Sequence, residues 1–329
     1  MALLLSEQDV RQLLPMSDLI DAMQDALALF STDQVKQPVR SIVELGTHGF
    51  FGVMPAALAS PAAAGMKLVT VVPANHDRGL PSHLATIVLI DHDTGALEAI
   101  LDGRYITEAR TAAVSAVSAR HLARAGSHVV AIIGAGVQAR SHADALSRVL
   151  DVSEFRIWSP TAAHREAAAK DIEKLLGPNE PDLKVRPTTG AQQAAEGADV
   201  VVLVTSAATP VIEDGWIAGG THVIGVGACR PNQREMPAAL MARARVIVDS
   251  RDAAMKEAGD ILLAQQDGAN VTISAELGEI CAGRAPGRED DAGVTIFKSL
   301  GLAVEDVVAA HLVLQRAKAA GLGITHYLS

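Results

Sequence analysis

The sequence of 329 residues lacks the features that would suit nucleic acid, a membrane or a disulfide framework. Its formal net charge is −10 at pH 7 and it has no stretch rich in Lys and Arg, which argues against nucleic acids and anionic membrane surfaces as partners. Cysteine occurs only at Cys229 and Cys281, without a CxxC spacing, so neither a disulfide nor a zinc site is indicated. No long apolar run and no signal-peptide pattern is present, and we expect a cytoplasmic protein.

Aromatic residues are also scarce, at 3% of the chain, whereas hydrophobic residues as a group make up 49%. The core must therefore be aliphatic, and alternating strands and helices fill such a core well. The length allows two domains of about 100–200 residues each. HExxH and GxSxG spacings are missing, and Asp91-His92-Asp93 is followed by Thr94-Gly95. That segment is predicted to be a hairpin turn rather than a metal site, and no metal is expected.

The first hundred residues combine helices with short strands. Ser6 and Asp9 form a capping-box pattern at the start of one helix, and Ser17 is predicted to cap a second. Five β-like segments follow, at Val39–Leu45, Phe50–Met54, Met66–Val72, Leu84–Asp91 and Ala96–Leu101. Their short spacing predicts a mixed sheet rather than a doubly wound one.

From about residue 120 the pattern changes to strands that alternate with helices, which predicts βαβ units and a parallel sheet. Strands are predicted at Val129–Ile133, Glu154–Trp158, Leu183–Arg186, Val200–Thr205, His222–Val226 and Val246–Asp249, and helices at Val137–Leu150 and Ala162–Leu176. A last helix, Val304–Ala319, is expected to return to the first domain.

The segment Val129–Ala139 reads VVAIIGAGVQA, and its six residues Gly134-Ala135-Gly136-Val137-Gln138-Ala139 match the pattern G-x-G-x-x-G/A. In such a turn the first glycine makes the bend, the second lets the backbone approach a pyrophosphate, and the last small residue permits close helix packing. The N–H groups of the helix N-terminus then face the phosphates. The pattern predicts an NAD(P)-dependent oxidoreductase; a glycine-rich turn without a ligand is the alternative.

The end of the next predicted strand bears on which dinucleotide is bound. An NAD site usually has Asp or Glu there, about 20 residues beyond the glycines, to accept bonds from the ribose hydroxyls. This sequence has Ser159-Pro160-Thr161 and then Arg165. Small hydroxyl groups near an arginine suit a 2′-phosphate, so NADP(H) is favoured and NAD(H) remains possible. The alternative for Arg165 is a solvated helix residue.

Three basic residues lie where charge is unexpected. Lys67 is part of Ala62–Val72, a segment apolar enough to be a buried strand. A buried ammonium group without a partner is costly, so Lys67 either reaches solvent or meets an anion. Arg40 and Arg110 are further candidates, because arginine binds a carboxylate through two hydrogen bonds; either could also be a surface salt-bridge residue.

Taken together, these residues resemble the ornithine cyclodeaminase/mu-crystallin family over nearly the whole chain. The matching segments, beside the glycine turn, are Pro38-Val39-Arg40, Gly52-Val53-Met54-Pro55, Gly65-Met66-Lys67, Pro81-Ser82-His83, Glu108-Ala109-Arg110-Thr111-Ala112, Arg251 to Asp260, and Ile296 to Gly301. The resemblance implies an α/β protein with a Rossmann-type doubly wound parallel sheet, residues 120–301. This sheet is inserted into an α+β substrate-binding and dimerisation domain, residues 1–119 with 302–329, and a homodimer is expected.

The resemblance also implies roles for individual residues. Arg40, Lys67 and Arg110 would be catalytic residues that hold a substrate carboxylate and polarise the reacting end, with Glu257 and Cys229 near the substrate. The residues expected to line the cofactor are Ser82, His83, Arg110, Thr111, Gly134, Ala135, Gly136, Val137, Gln138, Ser159, Thr161, Thr205, Ser206, Val226 and Ser299.

One departure from the family pattern favours a particular reaction. Cyclodeaminases carry an acidic residue where this sequence has Cys229, in Gly227-Ala228-Cys229-Arg230-Pro231. A thiol, with a reference pKa of about 8.5, does not accept protons at neutral pH as a carboxylate does. The mu-crystallin branch, whose members are ketimine reductases, also has a non-acidic residue there.

We therefore expect reduction of a cyclic ketimine acid, Δ1-pyrroline-2-carboxylate or Δ1-piperideine-2-carboxylate, to L-proline or L-pipecolate. Three alternatives remain: an amino-acid dehydrogenase of the alanine or N-alkyl amino acid type, an ornithine cyclodeaminase, and a ligand-binding protein without catalysis.

Overall fold

The structure, a computed structural model, describes residues 2–46 and 48–327. The chain forms two compact units, Met1–Thr111 with Gly301–Ser329, and Ala112–Leu300. The predicted boundary at residue 120 and the observed division after Thr111 both fall within one helix, α3 (Arg104–Leu122). Helix α3 thus belongs partly to each unit.

Within the described residues, the first unit contains one sheet of eight strands. Its strands are β1 (Ala2–Leu5), β2 (Val35–Lys36), β3 (Ser41–Glu44), β4 (Phe50–Ala59), β5 (Ala62–Val71), β6 (His83–Ile90), β7 (Leu97–Asp102) and, at the end of the chain, β16 (Ile324–His326). The order is β16-β1-β7-β6-β5-β4-β2, with β3 paired to β4. Strand β1 runs parallel to β7 and the other pairs are antiparallel. The predicted mixed sheet is confirmed.

The start of the chain differs in part from the prediction. Strand β1 precedes the first helix, and Ser6 and Asp9 form the predicted capping box there. Ser17 is not the cap of the second helix: that helix begins at Met16, and the carbonyl of Pro15 accepts its first backbone hydrogen bond, from Leu19 at 3.1 Å. Pro15 has no N–H and its fixed φ suits a helix start, so the helix begins before Ser17.

The turn between β6 and β7 is the one predicted at Asp91–Gly95. Oδ1 of Asp91 accepts hydrogen bonds from the backbone N–H of Thr94 at 2.8 Å and from its hydroxyl at 2.5 Å. Gly95 follows with a positive φ of 73°, a conformation that glycine adopts without strain. The Asp91 carboxylate therefore stabilises the turn.

Helices cover one face of the first sheet. These are α1 (Glu7–Leu13), α2 (Met16–Phe30) and α11 (Ala303–Ala320), and a short 3₁₀ helix at Pro73–Arg78 follows β5. Helix α11 packs on α2 and on strands β4 and β5. Leu19, Met23 and Leu27 of α2 are fully buried, as expected for the apolar stripe of an amphipathic helix.

Helix α3 was not predicted. Every residue from Ala109 to Ala119 is buried, so this part of the helix has no polar face and no apolar stripe. Hydrophobic periodicity therefore gives no helical signal there.

The second unit is a parallel sheet flanked by helices. Its strands are β8 (Val129–Ile133), β9 (Glu154–Trp158), β10 (Lys184–Pro187), β11 (Val200–Leu203), β12 (His222–Gly225), β13 (Arg245–Val248), β14 (Ile273–Glu276) and β15 (Thr295–Lys298). Its helices are α4 (Val137–Ser147), α5 (Ala162–Leu176), α6 (Ala191–Ala195), α7 (Ala238–Arg243), α8 (Arg251–Glu257), α9 (Gly259–Gln266) and α10 (Leu277–Cys281), with a 3₁₀ helix at Asp214–Trp216.

The strand order of the second unit, β10-β9-β8-β11-β12-β15-β13-β14, begins like the Rossmann order, in which successive strands are added on one side of the first strand and then on its other side. All its strand pairs are parallel. The predicted Rossmann-type sheet is thus confirmed, although β14, β15 and the helices α6 to α10 were not predicted. The carboxyl ends of all these strands meet at one edge, where such folds bind their ligands.

None of the helices in residues 2–46 and 48–327 combines the length and the apolar character that a membrane span requires.

Candidate active site

Lys67 lies in the middle of β5, on the face of the sheet that α11 covers. Its side chain is 1% exposed, and its Nζ lies 2.6 Å from Oδ2 of Asp306 in the first turn of α11. A carboxylate is favourable at this end of a helix, because the N-terminus of the macrodipole is positive. Of the two possibilities that the sequence left open, Lys67 therefore meets an anion.

Arg110 of α3 joins the same group of charges. Its Nε donates to Oδ1 of Asp306 at 3.1 Å, and its Nη1 donates to Oε2 of Glu305 at 2.7 Å. Gly301, just before α11, makes room for it: a Cβ at Gly301 would lie 2.3 Å from Nη1 of Arg110. The guanidinium group is thus fixed by two carboxylates that are themselves fully buried.

Lys67, Arg110, Glu305 and Asp306 together are called the buried charge cluster below. It contains two basic and two acidic side chains, so opposite charges are balanced within it. Arg40, on the segment between β2 and β3, lies near enough for its charge to act on Lys67. The three basic residues predicted for the substrate are therefore close together in the first unit.

The pKa values follow from this environment. Burial lowers the pKa of Lys67 to about 8, since the charge of Asp306 raises it only in part and Arg110 and Arg40 lower it further. Burial would raise the pKa of Asp306, but Arg110 and Lys67 outweigh it and hold the pKa below its usual range. An ammonium group with a pKa of about 8 is mostly protonated at neutral pH and can still release its proton.

His83 and Ser82 were predicted to line the cofactor, and His83 is the first residue of β6. Burial, followed by the charges of Lys67 and Arg110, lowers the pKa of His83 to about 4. The imidazole is therefore neutral at physiological pH and adds no charge. Thr111, another predicted cofactor residue, donates its hydroxyl hydrogen to the carbonyl of Thr107 at 2.8 Å.

Glu305 and Asp306 were missed by the sequence reasoning, although the helix that carries them was predicted. The available signal was two adjacent acidic residues in the first turn of the predicted helix Val304–Ala319. Acidic residues are common in a first helical turn, so this pattern alone does not identify them as partners of a buried lysine.

The glycine turn of the second unit has the shape that a pyrophosphate requires. Gly134 has a φ of 125°, and a Cβ there would lie 2.6 Å from the carbonyl oxygen of Val204. Gly136 is the N-cap of α4 without a side-chain cap, and a Cβ on it would meet nothing within 4 Å. Open space in front of uncapped N–H groups suits an anionic ligand.

Two further residues of this turn fit a bound dinucleotide. Ala139 is fully buried, which allows α4 to pack closely on the sheet. Oε1 of Gln138 is buried, and the described residues supply no hydrogen-bond donor to it. A buried acceptor of this kind normally has a partner, and a bound cofactor could provide one.

The remaining predicted cofactor residues lie where strands of the second unit end. Ser159 follows β9 and is buried, while the backbone carbonyl of Ser159 accepts from Nη1 of Arg165 at 3.1 Å. Thr161 is the exposed N-cap of α5. Thr205 and Ser206 follow β11, Val226 follows β12 and Ser299 follows β15. Together with the glycine turn after β8, the candidate cofactor residues of this unit thus follow the carboxyl ends of five strands.

Two residues of this unit, Glu257 and Cys229, were predicted to lie near the substrate. Glu257 is the last residue of α8 and is half-buried. The thiol of Cys229 donates to the carbonyl of Val226 at 3.1 Å.

Removing the charge of Asp306 tests the buried charge cluster as a structural unit. We expect Asp306→Asn to lower the free energy of unfolding by about 3–5 kcal/mol, because breaking a buried ion pair leaves Lys67 and Arg110 incompletely compensated. Urea unfolding measures this, with Asp25→Asn on the exposed side of α2 as the matched control. Equal unfolding midpoints for the two variants would contradict the assignment.

The comparisons with known proteins agree with this architecture. The model of the ornithine cyclodeaminase/mu-crystallin family matches residues 1–321. Ketimine reductase mu-crystallin of Mus musculus is 43% identical over 314 residues, covering 94% of this chain and 95% of that protein. The structure of Thermococcus litoralis Delta(1)-pyrroline-2-carboxylate reductase in complex with NADH and L-proline is 35% identical, with a TM-score of 0.95, and the match covers 98% of this chain and 100% of that one.

An archaeal alanine dehydrogenase, solved as a dimer with bound NAD, is 32% identical with a TM-score of 0.90, covering 99% of each chain. These matches span both units, including the glycine turn and the segments that carry the buried charge cluster. The chain belongs to the ornithine cyclodeaminase/mu-crystallin family.

Proposed function

We propose that this protein is an NAD(P)H-dependent imine reductase that converts cyclic ketimine acids, Δ1-pyrroline-2-carboxylate or Δ1-piperideine-2-carboxylate, to L-proline or L-pipecolate. The observation that carries the proposal is Lys67, a buried lysine held by Asp306 at 2.6 Å with a pKa lowered to about 8. The relatives named as ketimine reductase and as pyrroline-2-carboxylate reductase, the latter bound to NADH and L-proline, support it.

The chemistry explains why such a lysine matters. When bound, a reduced nicotinamide supplies a hydride for the imine carbon, and an imine accepts it well only once its nitrogen is protonated. Lys67 can donate that proton from Nζ, after which the lysine regains one from solvent. Asp306 keeps the ammonium form available at neutral pH, and it fixes the position of Nζ. The sum is addition of one hydride and one proton across the C=N bond.

Arg110 and Arg40 are assigned to the substrate carboxylate. Glu305 and Asp306 fix the guanidinium of Arg110 in one orientation, so little side-chain freedom is lost when a carboxylate binds to it. Holding the substrate in a reactive orientation contributes several kcal/mol to lowering the barrier. His83, being neutral, can accept or donate a hydrogen bond without competing for the carboxylate.

For the cofactor, we assign the pyrophosphate to Gly134–Ala139 and favour NADP(H), with NAD(H) possible. The residues directly after β9, Ser159-Pro160-Thr161, provide two hydroxyl groups and no carboxylate, and Arg165 is anchored to the Ser159 carbonyl. These donors suit the ribose 2′-phosphate of NADP(H) better than they suit the free 2′- and 3′-hydroxyl groups of NAD(H). We also propose a cytosolic location, because a chain with two cysteines far apart in sequence and without a CxxC spacing suits a reducing compartment.

Cys229 argues against the cyclodeaminase alternative. Its thiol donates its hydrogen to the Val226 carbonyl, whereas cyclodeamination needs a base at that position to deprotonate the substrate amine. The alanine dehydrogenase relative keeps an acyclic imine substrate in consideration, since the same Lys67 and arginines would serve it.

The function is tested by following oxidation of NADPH and NADH with each candidate substrate. We expect cyclic imines to give a kcat/KM at least about tenfold above pyruvate with ammonia or methylamine, and NADPH to be preferred over NADH. Reversed preferences would replace these substrate and cofactor assignments. Cofactor-independent release of ammonia from ornithine would establish a cyclodeaminase, and tight ligand binding without turnover would establish a binding protein.

Lys67 gives the reaction a defined pH dependence. The acid form is required, so kcat should be constant well below the Lys67 pKa of about 8 and fall as pH rises through it. Lys67→Met should reduce kcat by about 10²–10⁴-fold and remove this limb of the profile. Lys184→Met, at an exposed position of β10, is the control. A Lys67→Met profile identical to the control would exclude Lys67 as the proton donor.

We also propose a homodimer that forms through the face of the first sheet opposite Lys67. Strand register places Val43, Leu68, Leu84 and Ile90 on this face, and they are 47%, 36%, 42% and 37% exposed. A contiguous apolar face of this kind marks an interaction surface. The archaeal alanine dehydrogenase relative is itself a dimer.

Leu68→Asp should convert the dimer to a monomer, because an isologous interface would bury the new carboxylate from both protomers. The molecular mass of each variant is measured by light scattering as the protein elutes from a size-exclusion column. Leu175→Asp, at a 48% exposed leucine of α5, should leave the mass unchanged. A dimer in both variants would place the interface elsewhere.

A further inference from the structure

Among the fully buried charged side chains of the second unit, Glu235, Asp260 and Lys298 have no role in the proposed reaction and lie close to one another. Glu235, Asp260 and Lys298 are each 0% exposed. Nζ of Lys298 lies 3.0 Å from Oδ2 of Asp260. Burial lowers the pKa of Lys298, but the negative groups around it, Asp260 first, outweigh burial and raise the pKa above its usual value. Lys298 therefore stays protonated.

The Glu235 carboxylate joins two separate loops. Its Oε1 accepts from the backbone N–H of Thr205 and from the Thr205 hydroxyl, both at 2.7 Å. Its Oε2 accepts from the backbone N–H of Gly227 at 2.6 Å and of Ala228 at 3.2 Å. One side chain thus satisfies four donors, which belong to the loops after β11 and β12.

Asp260 links Glu235 to the end of a third strand. Its Oδ1 accepts from the backbone N–H groups of Glu235 at 2.7 Å and Met236 at 3.0 Å. Its other oxygen pairs with Lys298, the last residue of β15. Strands β11, β12 and β15 are consecutive neighbours in the sheet, so these three side chains tie together three adjacent strand ends.

Packing leaves these loops little room to shift. A Cβ at Gly227 would lie 2.0 Å from the carbonyl oxygen of Thr205 and 2.6 Å from Oε1 of Glu235. A Cβ at Gly259, next to Asp260, would lie 1.9 Å from the carbonyl oxygen of Gln233. Only glycine allows the backbone to approach so closely.

Strand order indicates which part of a dinucleotide these loops would face. The pyrophosphate lies at the turn after β8, and the adenosine ribose is read at the end of β9, on one side of β8. Strands β11, β12 and β15 lie on the other side of β8. The nicotinamide half of a bound dinucleotide would therefore extend over the carboxyl ends of these three strands.

We propose that Glu235, Asp260 and Lys298 form a positioning network that holds the loops after β11, β12 and β15 in the conformation that receives the nicotinamide half of the cofactor. The inference rests on the proposed function for the identity of the ligand. These residues act through Thr205, Val226 and Ser299 rather than by touching the substrate. A carboxylate at position 235 is required because only an acceptor on both oxygens satisfies donors from two loops at once.

The test replaces one acceptor oxygen by a donor, in Glu235→Gln. The amide NH₂ would face the N–H groups of Thr205 or Gly227, so we expect one loop to be released. The affinity for NADPH, measured from fluorescence on binding, should fall by about tenfold or more. Binding of adenosine 2′,5′-bisphosphate, the adenosine half alone, should be unchanged by calorimetry. If the wild type prefers NADH, then NADH and ADP are the matched pair. Glu213→Gln, at an exposed glutamate of the same unit, is the control.

Hydrogen exchange supplies a readout independent of binding. Amides of residues 204–208 and 226–230 should exchange faster in Glu235→Gln, while those of 130–140 should not. Unchanged affinity for the whole cofactor, or equal weakening for the cofactor and its adenosine half, would overturn the positioning role. If Glu235→Gln fails to fold, Asp260→Asn replaces it, because it keeps one acceptor oxygen for the backbone and removes the charge facing Lys298. The affinities of this variant for the whole cofactor and for its adenosine half are then compared in the same way. Failure of the wild type to bind either nicotinamide dinucleotide would instead refute the proposed function.

Discussion

The structure of the first unit depends on compensation of the positive charge that lies inside it. Lys67 is buried in the middle of a strand, and removing an isolated ammonium group from water costs far more than one side chain can recover by packing. Asp306 supplies the opposite charge, 2.6 Å from Nζ of Lys67. Arg110 donates hydrogen bonds both to Asp306 and to Glu305. Strand β5, helix α3 and the last helix therefore have to meet at this point, and their packing follows from that requirement.

Sequence patterns predicted the parts of the fold whose cause is local. The glycine turn at Gly134–Ala139, the capping box at Ser6 and the turn at Asp91–Gly95 each arise from neighbouring residues, and the structure contains all three. Helix α3 was missed because its central part, Ala109 to Ala119, is buried on all sides. Lys67 was recognised as unusual, but its partner Asp306 is distant in sequence, and nothing in a single sequence pairs one buried charge with another.

The second unit shows the same limit in a different form. The strand ends that were predicted to line the cofactor were located correctly, since strands alternate regularly with helices. The side chains that fix those ends, among them Glu235 and Asp260, lie in segments whose secondary structure was not predicted. Apart from the glycine turn, the residues proposed to contact ligands were identified from the family resemblance, whereas the acidic residues that hold them in place became visible only in the three-dimensional arrangement.

The first unit is built from both ends of the chain, and this has a consequence for synthesis on the ribosome. Lys67 and Arg110 emerge long before Asp306, whereas the second unit is complete in sequence by Leu300. Domains fold as they emerge, from the N-terminal side, so the dinucleotide-binding fold can form while the charges of Lys67 and Arg110 are still hydrated and unburied. Release of the last helix from the exit tunnel is then the event that closes the first core, and a chain truncated before Asp306 would retain the second unit but lack the carboxylate that compensates Lys67.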